Sequence, residues 1–227
     1  MHKVFLFLKV EIVNISEKLC NEDRIFMNQK IVAAFDFDGT LTNKDILIPF
    51  LQNAFGKFRV ALSVVKLLPA IGLFCLGMQS RQQVKERFLS FQISGMDPTI
   101  FTSLATCFST QHVQEYIRSD ALEKLAWHQS QGHEVCIISA NLAPLLIPYA
   151  QKIGVERIIA TELLVDSQGK LTGDLKGNNC WGEEKVRRLL EVYGSKDRYI
   201  LYAYGDSRGD KELLQLADYP YYRYFSK

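Results

Sequence analysis

Four short apolar runs limit what this chain can fold into: IVAAFD (31–36), EVCIIS (134–139), RIIATEL (157–163) and YILYAYGD (199–206). They are continuous rather than alternating, the pattern of strands buried on both faces of a parallel sheet. Helical patterns separate them, with ALEKLAWHQSQG (121–132) before the second and EEKVRRLLEVYG (183–194) before the fourth. In the latter, Val186, Leu189, Leu190 and Tyr193 recur at i, i+3, i+4 and i+7 and leave the charges on the other face. Strands alternating with helices imply an α/β core, a Rossmann-like parallel sheet with right-handed crossovers.

The first two runs are separated by residues 37–133, far more than one crossover helix needs. Residues 46–118 therefore read as an inserted helical cap, with the core formed by 27–45 and 119–227. Within the cap, VALSVVKLLPAIGLFCLGM (60–78) is almost wholly apolar apart from Lys66 and is interrupted by Pro69 and Gly72. A spanning helix wants about 20 apolar residues, so two readings stand: helices buried or covered by a partner, or contact with a membrane surface or a lipid substrate. A second inset, VDSQGKLTGDLKGNNC (165–180), carries a hairpin turn at S-Q-G-K and leads into the following helix. Residues 1–26 precede Met27; their apolar run VFLFL is cut by Lys9 and Glu11 before it reaches the length of a signal-peptide core. They read as an extension, with the functional chain starting near Met27.

Charge and cysteine usage narrow the function classes. With 27 Lys and Arg against 25 Asp and Glu, the net charge of +2 leaves no electrostatic footprint for nucleic acid. Five scattered cysteines, none in a CxxC pair, read as reduced thiols and place the chain in the cytoplasm, with membrane association through the cap as the addition the apolar segment would bring.

In open parallel sheets, ligands bind beyond the carboxyl ends of the strands. Asp36, Ser139 and Asp206 each fall at such an end, so the topology would bring them to one rim, with Asp38 and Asp210 close by. Four carboxylates at one rim call for a cation, and hard oxygen donors suit Mg²⁺. Lys185, in the first turn of its helix, and Ser139, opening the loop SANLAP, offer an ammonium, a hydroxyl and loop amides for a phosphoryl group. One carboxylate can then attack phosphorus while a second carboxyl protonates the leaving oxygen, which would explain the paired acids of DFD. None of the four histidines falls in these segments.

These segments resemble the haloacid dehalogenase superfamily of aspartate-dependent phosphatases: DFDGT at 36–40, the serine of ISAN at 139, Lys185 in GEEKVRRL and GDSRGD at 205–210. The helical insertion is similar to the C1 cap of subfamily IB, and NNCWGEEK resembles the group containing phosphoserine phosphatase and the bacterial phosphatidylglycerophosphatase C type. The resemblance implies a Mg²⁺-dependent phosphomonoesterase acting on a small-molecule or lipid phosphate monoester. It makes Asp36 the nucleophile that becomes aspartyl-phosphate, and Asp38 the general acid and base, whose backbone carbonyl also serves the metal. Ser139, Asn141 and Lys185 would hold phosphate, Asp206 would ligate Mg²⁺ directly, and Asp210 would act through water or orient a ligand. Asp45 stands where phosphoserine phosphatase has a glutamate gripping the substrate amino group, and Gly209 where its last motif has an asparagine. Arg81 is a candidate substrate contact on the cap; with Lys85 and Arg87 it is explained more simply as a solvated helix face. The reading from another class is a binding or regulatory protein that keeps this fold.

Overall fold

The computed structural model describes residues 29–225, so the proposed extension at 1–26 lies outside the described residues. Five parallel strands form the main sheet in the order β3-β2-β1-β6-β7. They are β1 (Lys30–Phe35), β2 (Glu134–Leu142), β3 (Arg157–Thr161), β6 (Tyr199–Gly205) and β7 (Tyr219–Tyr222). The alternation hidden inside the continuous apolar run of β1 is explicit here. Ala33 and Phe35 pack into one core cluster and Val32 and Ala34 into the other, on opposite faces. All four are fully buried, so the strand has no polar side to display in its sequence.

Each expected strand is present, with differences at the ends. The run RIIATEL splits at Glu162: β3 ends at Thr161, and Leu163–Val165 turns away as β4, pairing antiparallel with β5 (Leu171–Leu175). The expected turn between them is closed by Asp166, whose Oδ1 accepts from the amides of Gln168 (2.8 Å) and Lys170 (2.9 Å). Strand β7, YPYY, has no counterpart in the sequence reading. It is an edge strand that tolerates Pro220, and it is held by ring stacking of Tyr219 on Tyr202 and Tyr221 on Tyr204.

Five α-helices lie between β1 and β2, the first four being α1 (Leu47–Phe55), α2 (Lys57–Cys75), α3 (Arg81–Ile93) and α4 (Pro98–Gln111). The segment expected to break at Pro69 and Gly72 is one continuous helix, α2. Pro69 sits on its exposed side, where water can satisfy the carbonyl left without a donor. Helix α3 starts with a reciprocal capping box between Ser80 and Gln83, and α4 with Asp97 accepting from the amide of Thr99 at 2.9 Å. Arg59 of α2 donates to the carbonyl of Gln92 in α3 (2.7 Å), fastening the two helices together. The remaining helices are α5 (Ser119–Ser130), α6 (Ala143–Lys152), α7 (Glu183–Tyr193) and α8 (Lys211–Leu216). The four described cysteines, Cys75, Cys107, Cys136 and Cys180, are unbridged.

His128 of α5 is fully buried against the sheet, its Nε2 2.9 Å from the Tyr204 hydroxyl and its Nδ1 2.8 Å from Nδ1 of His133. Burial, aided by the charges of His133 and Lys124, lowers its pKa from 6.5 to about 4. The unfolded chain therefore takes up a proton that the folded chain refuses, and stability is lost as pH falls from about 6.5 toward 4. In His128→Gln this component disappears. The stability difference between wild type and variant is expected to change by about 2–3 kcal/mol across that window, measured by urea unfolding at a series of pH values.

Candidate active site

The sheet register sets the site. Phe35 of β1 lies opposite Ile137 of β2 and Tyr204 of β6, so Asp36, Ser139 and Asp206 emerge at one edge of three adjacent strands. The backbone amide of Asp36 still bonds to the carbonyl of Tyr204 (2.9 Å), which fixes where the side chain begins. Phe37 is buried and stacks edge-on against Tyr149, while Asp36 and Asp38 both line the same cavity. Gly39 turns the chain at φ +84°, and a side chain there would fall on the Asp206 carboxylate. Thr42 secures this turn, its hydroxyl accepting from the Gly39 amide (3.3 Å) and reaching the carbonyls of Phe37 (3.1 Å) and Lys44 (2.8 Å). Thr40 instead reaches toward Asp206 Oδ1, at 3.5 Å.

At the centre is Lys185. Its Nζ lies 2.6 Å from Asp36 Oδ1 and 2.5 Å from Asp210 Oδ1, and all three groups are buried. Helix α7 carries this lysine into place because its first turn is anchored: Arg188 donates to the carbonyls of Ala160 and Asn178, both at 2.6 Å, and to buried Glu184 at 2.7 Å. Burial works to lower the Lys185 pKa, and the carboxylates of Asp36 and Asp210 outweigh it and raise it, so the ammonium is a fixed cation. Asp210 has no free oxygen, because its Oδ2 accepts from the amide (3.0 Å) and hydroxyl (2.8 Å) of Ser207. Among the described residues no hydrogen bond reaches Asp36 Oδ2.

Carboxylate oxygens of Asp36, Asp206 and Asp210 lie within 4.8 Å of one another. Burial raises the pKa of Asp36 to about 7, against the pull of Lys185 and with Asp210 pushing upward. Asp206 is also raised, by burial and then by Asp210. One lysine thus leaves the cluster short of positive charge, and the hard oxygen donors fit a divalent cation such as Mg²⁺. The Asp38 carboxyl is outside this cluster. It accepts from the Ile46 amide (2.9 Å) and from Asn141 Nδ2 (2.7 Å), and burial, followed by Asp45 and Asp36, raises its pKa well above the usual carboxylate range.

The other expected residues divide. Asn141 orients Asp38, its own Oδ1 held by the Leu142 amide at 2.7 Å. Ser139 lines the cavity, and its Oγ accepts from the Asn141 amide (3.1 Å). Asp45 lines the cavity too and caps α1 through the Leu47 amide (2.7 Å). Arg81 lies over the Trp181 ring at 5.1 Å on the cavity rim. Trp181 also accounts for Gly209: a Cβ at 209 would run into the indole, so the asparagine expected there by resemblance has no room.

One reading is corrected. Lys85 is not part of a solvated face; its Nζ reaches the carbonyl of Ala140 (2.5 Å) and Asn179 Oδ1 (2.9 Å), joining cap helix α3 to the end of β2 and to the loop at Asn179. Burial lowers its pKa to about 8 against the opposing pull of Asp45 and Asp38. Charge spacing along α3 carries no mark of this, because the partners come from residues 140 and 179. Asn179 and Trp181 were not singled out as cavity residues, although they lie in the NNCWGEEK stretch that carries part of the family resemblance.

A cavity of about 600 Å³ at the strand edge joins these groups, its cap side formed by Leu47, Ile48, Leu67, Val84 and Phe88. A doubly covered parallel sheet with an acid cluster at its carboxyl edge and helices inserted after its first strand fits a hydrolase that works through carboxylates. Residues 33–215 match the haloacid dehalogenase-like hydrolase family, and the chain belongs to it. Protein CicA of Caulobacter vibrioides is 33% identical over 198 residues, covering 87% of this chain and 88% of the relative. A histidinol-phosphatase of Neisseria meningitidis is 26% identical over 203 residues, 84% of this chain and 89% of the relative. The fold is similar to that of a substrate-bound phosphoserine phosphatase complex, with a TM-score of 0.55, 19% identity and 84% of each chain covered.

Removing Lys185 would leave Asp36 and Asp210 buried without their cation. Lys185→Met is expected to cost about 3–5 kcal/mol at pH 7 in the presence of a chelator, measured by urea unfolding. Because Asp36, raised by burial even with its cation in place, would then fold in protonated form, the deficit narrows as pH falls toward 4.

Proposed function

We propose that the chain is a Mg²⁺-dependent phosphomonoesterase working through an aspartyl-phosphate on Asp36. The observation that carries this reading is the asymmetry around Asp36: Lys185 holds Oδ1 at 2.6 Å, and Oδ2 remains the oxygen available to attack phosphorus. Attack in line forms the acyl-phosphate bond and breaks the phosphorus–oxygen bond to the alcohol, whose oxygen needs a proton. Asp38 supplies it: burial raises its pKa and so favours the protonated carboxyl as donor, and Ile46 and Asn141 aim it. The resulting carboxylate then takes a proton from the water that hydrolyses the acyl-phosphate. Ser139, Asn141, Lys185 and nearby loop amides would receive the phosphoryl oxygens. Asp36, Asp206 and the Asp38 backbone carbonyl would hold Mg²⁺, with Asp210 steadying Lys185 and the Asp206 loop, and the ion would supply charge neutralisation for the dianion.

The cap side of the cavity bears on the substrate. Lys85 already faces Asp45 and Asp38, so a substrate ammonium, as in phosphoserine, would compete with a resident cation for the same carboxylates. The apolar wall instead favours a phosphate monoester with an apolar or lipid organic part, as in the phosphatidylglycerophosphatase C-like reading. A screen of phosphoserine, sugar phosphates, nucleotides and phosphatidylglycerophosphate tests this; preference for phosphoserine would reverse it. Such an enzyme would work in the cytoplasm or at its membrane surface.

Turnover of an aryl phosphate separates an enzyme from a binding protein of the same fold. Asp36→Asn is expected to abolish activity, as is chelation of the metal. Asp38→Asn is expected to lower kcat by about 10²–10⁴, with the metal affinity of the resting protein, read by calorimetry, unchanged. Full activity of Asp36→Asn would refute the mechanism.

A further inference from the structure

Helix α2 leaves most of its surface uncovered. Its buried residues, Val60, Ser63, Leu67 and Ala70, form one narrow stripe against the rest of the cap. Opposite that stripe, Phe58, Leu62, Val65, Pro69, Gly72 and Leu76 follow one another in steps of four and three, which places them along one face. Phe58 is 83% exposed, Val65 59% and Leu76 75%, and Leu68 (58%) and Met78 (70%) widen the patch. Contiguous apolar surface of this kind marks a docking site rather than a solvated helix.

Charge identifies the occupant. From Ile46 to Lys85 the sequence contains no Asp or Glu, while Lys57, Arg59 and Lys66 lie on α2 itself. On α2, Lys57 falls to one side of the apolar face and Arg59 and Lys66 to the other, all exposed. A second copy of the chain docking through this face would set these cations against their own kind. An anionic bilayer meets both features at once, with acyl chains for the apolar face and lipid phosphates for flanking ammonium and guanidinium groups. The 19-residue helix is about 28 Å long. Its buried stripe keeps it in the cap, so it would lie in the plane of the interface rather than cross it.

We propose that α2 is an interfacial helix that docks this protein on anionic membrane surfaces. The test is flotation of the full chain with phosphatidylcholine vesicles containing roughly a third phosphatidylglycerol, beside pure phosphatidylcholine vesicles. Binding at least about tenfold stronger to the anionic vesicles is expected, weakened by salt. The exposed-face variant Leu62→Ser/Val65→Ser/Leu68→Ser, and separately the charge reversal Lys57→Glu/Lys66→Glu, should each reduce binding about tenfold or more while hydrolysing a soluble aryl phosphate at the wild-type rate, which also reports that they fold. Equal binding to neutral and anionic vesicles would overturn the proposal, as would full binding by both variants. A stable dimer that the serine substitutions dissolve, in a protein that does not float, would assign the face to a second copy instead. Because the aryl phosphate assay is independent of vesicles, loss of docking and absence of phosphatase activity are read separately.

Discussion

The ammonium of Lys185 between Asp36 and Asp210 is the contact on which the rest of the site depends. Two buried carboxylates beside each other are tolerable only with a cation at hydrogen-bond distance from both, and Lys185 reaches them at 2.6 and 2.5 Å. The lysine does more than neutralise. By taking Asp36 Oδ1 it leaves Oδ2 as the free oxygen, and by taking Asp210 Oδ1 it completes a carboxylate whose other oxygen organises the Ser207 turn. The neighbouring Asp206, half-buried at that turn, then faces a cluster that one ammonium leaves short of positive charge.

Much of this was legible in the sequence because double burial and strand-end chemistry both leave local marks. A strand covered on both faces must be apolar at every position, and IVAAF and YILYAY are; the acids that follow them then fall at the carboxyl edge by topology alone. What escaped was decided by partners distant in the chain. Lys85 looks like any cap lysine until residues 140 and 179 are brought beside it, and Thr42 ties the turn after Gly39 because its hydroxyl spans Phe37 and Lys44. Strand β7 was hidden by its proline and by an edge position, where ring stacking of tyrosines replaces continuous aliphatic burial.

The two departures from phosphoserine phosphatase acquire physical causes. Gly209 accompanies Trp181, since the indole fills the space any side chain at 209 would take, and that indole in turn carries Arg81 on the cavity rim. Asp45 is tied to α1 through the Leu47 amide and accompanied by the buried cation of Lys85. The two positions thus belong to small packed groups, Gly209 with Trp181 and Arg81, and Asp45 with Lys85, whose larger side chains line the cavity.

Helix α2 connects the two ends of this arrangement. Its buried stripe includes Leu67, which walls the catalytic cavity, and its opposite face is the exposed apolar surface. A rigid helix with 19 residues cannot tilt on one side without moving the other, so an occupant of the outer face bears on the position of Leu67 and on the shape of the cavity. Pro69, two residues further on, removes one donor from the hydrogen-bond ladder of α2 close to the residue that lines the cavity. Cap geometry and surface contact are therefore one mechanical problem, solved by a single helix whose composition was set by two environments at once.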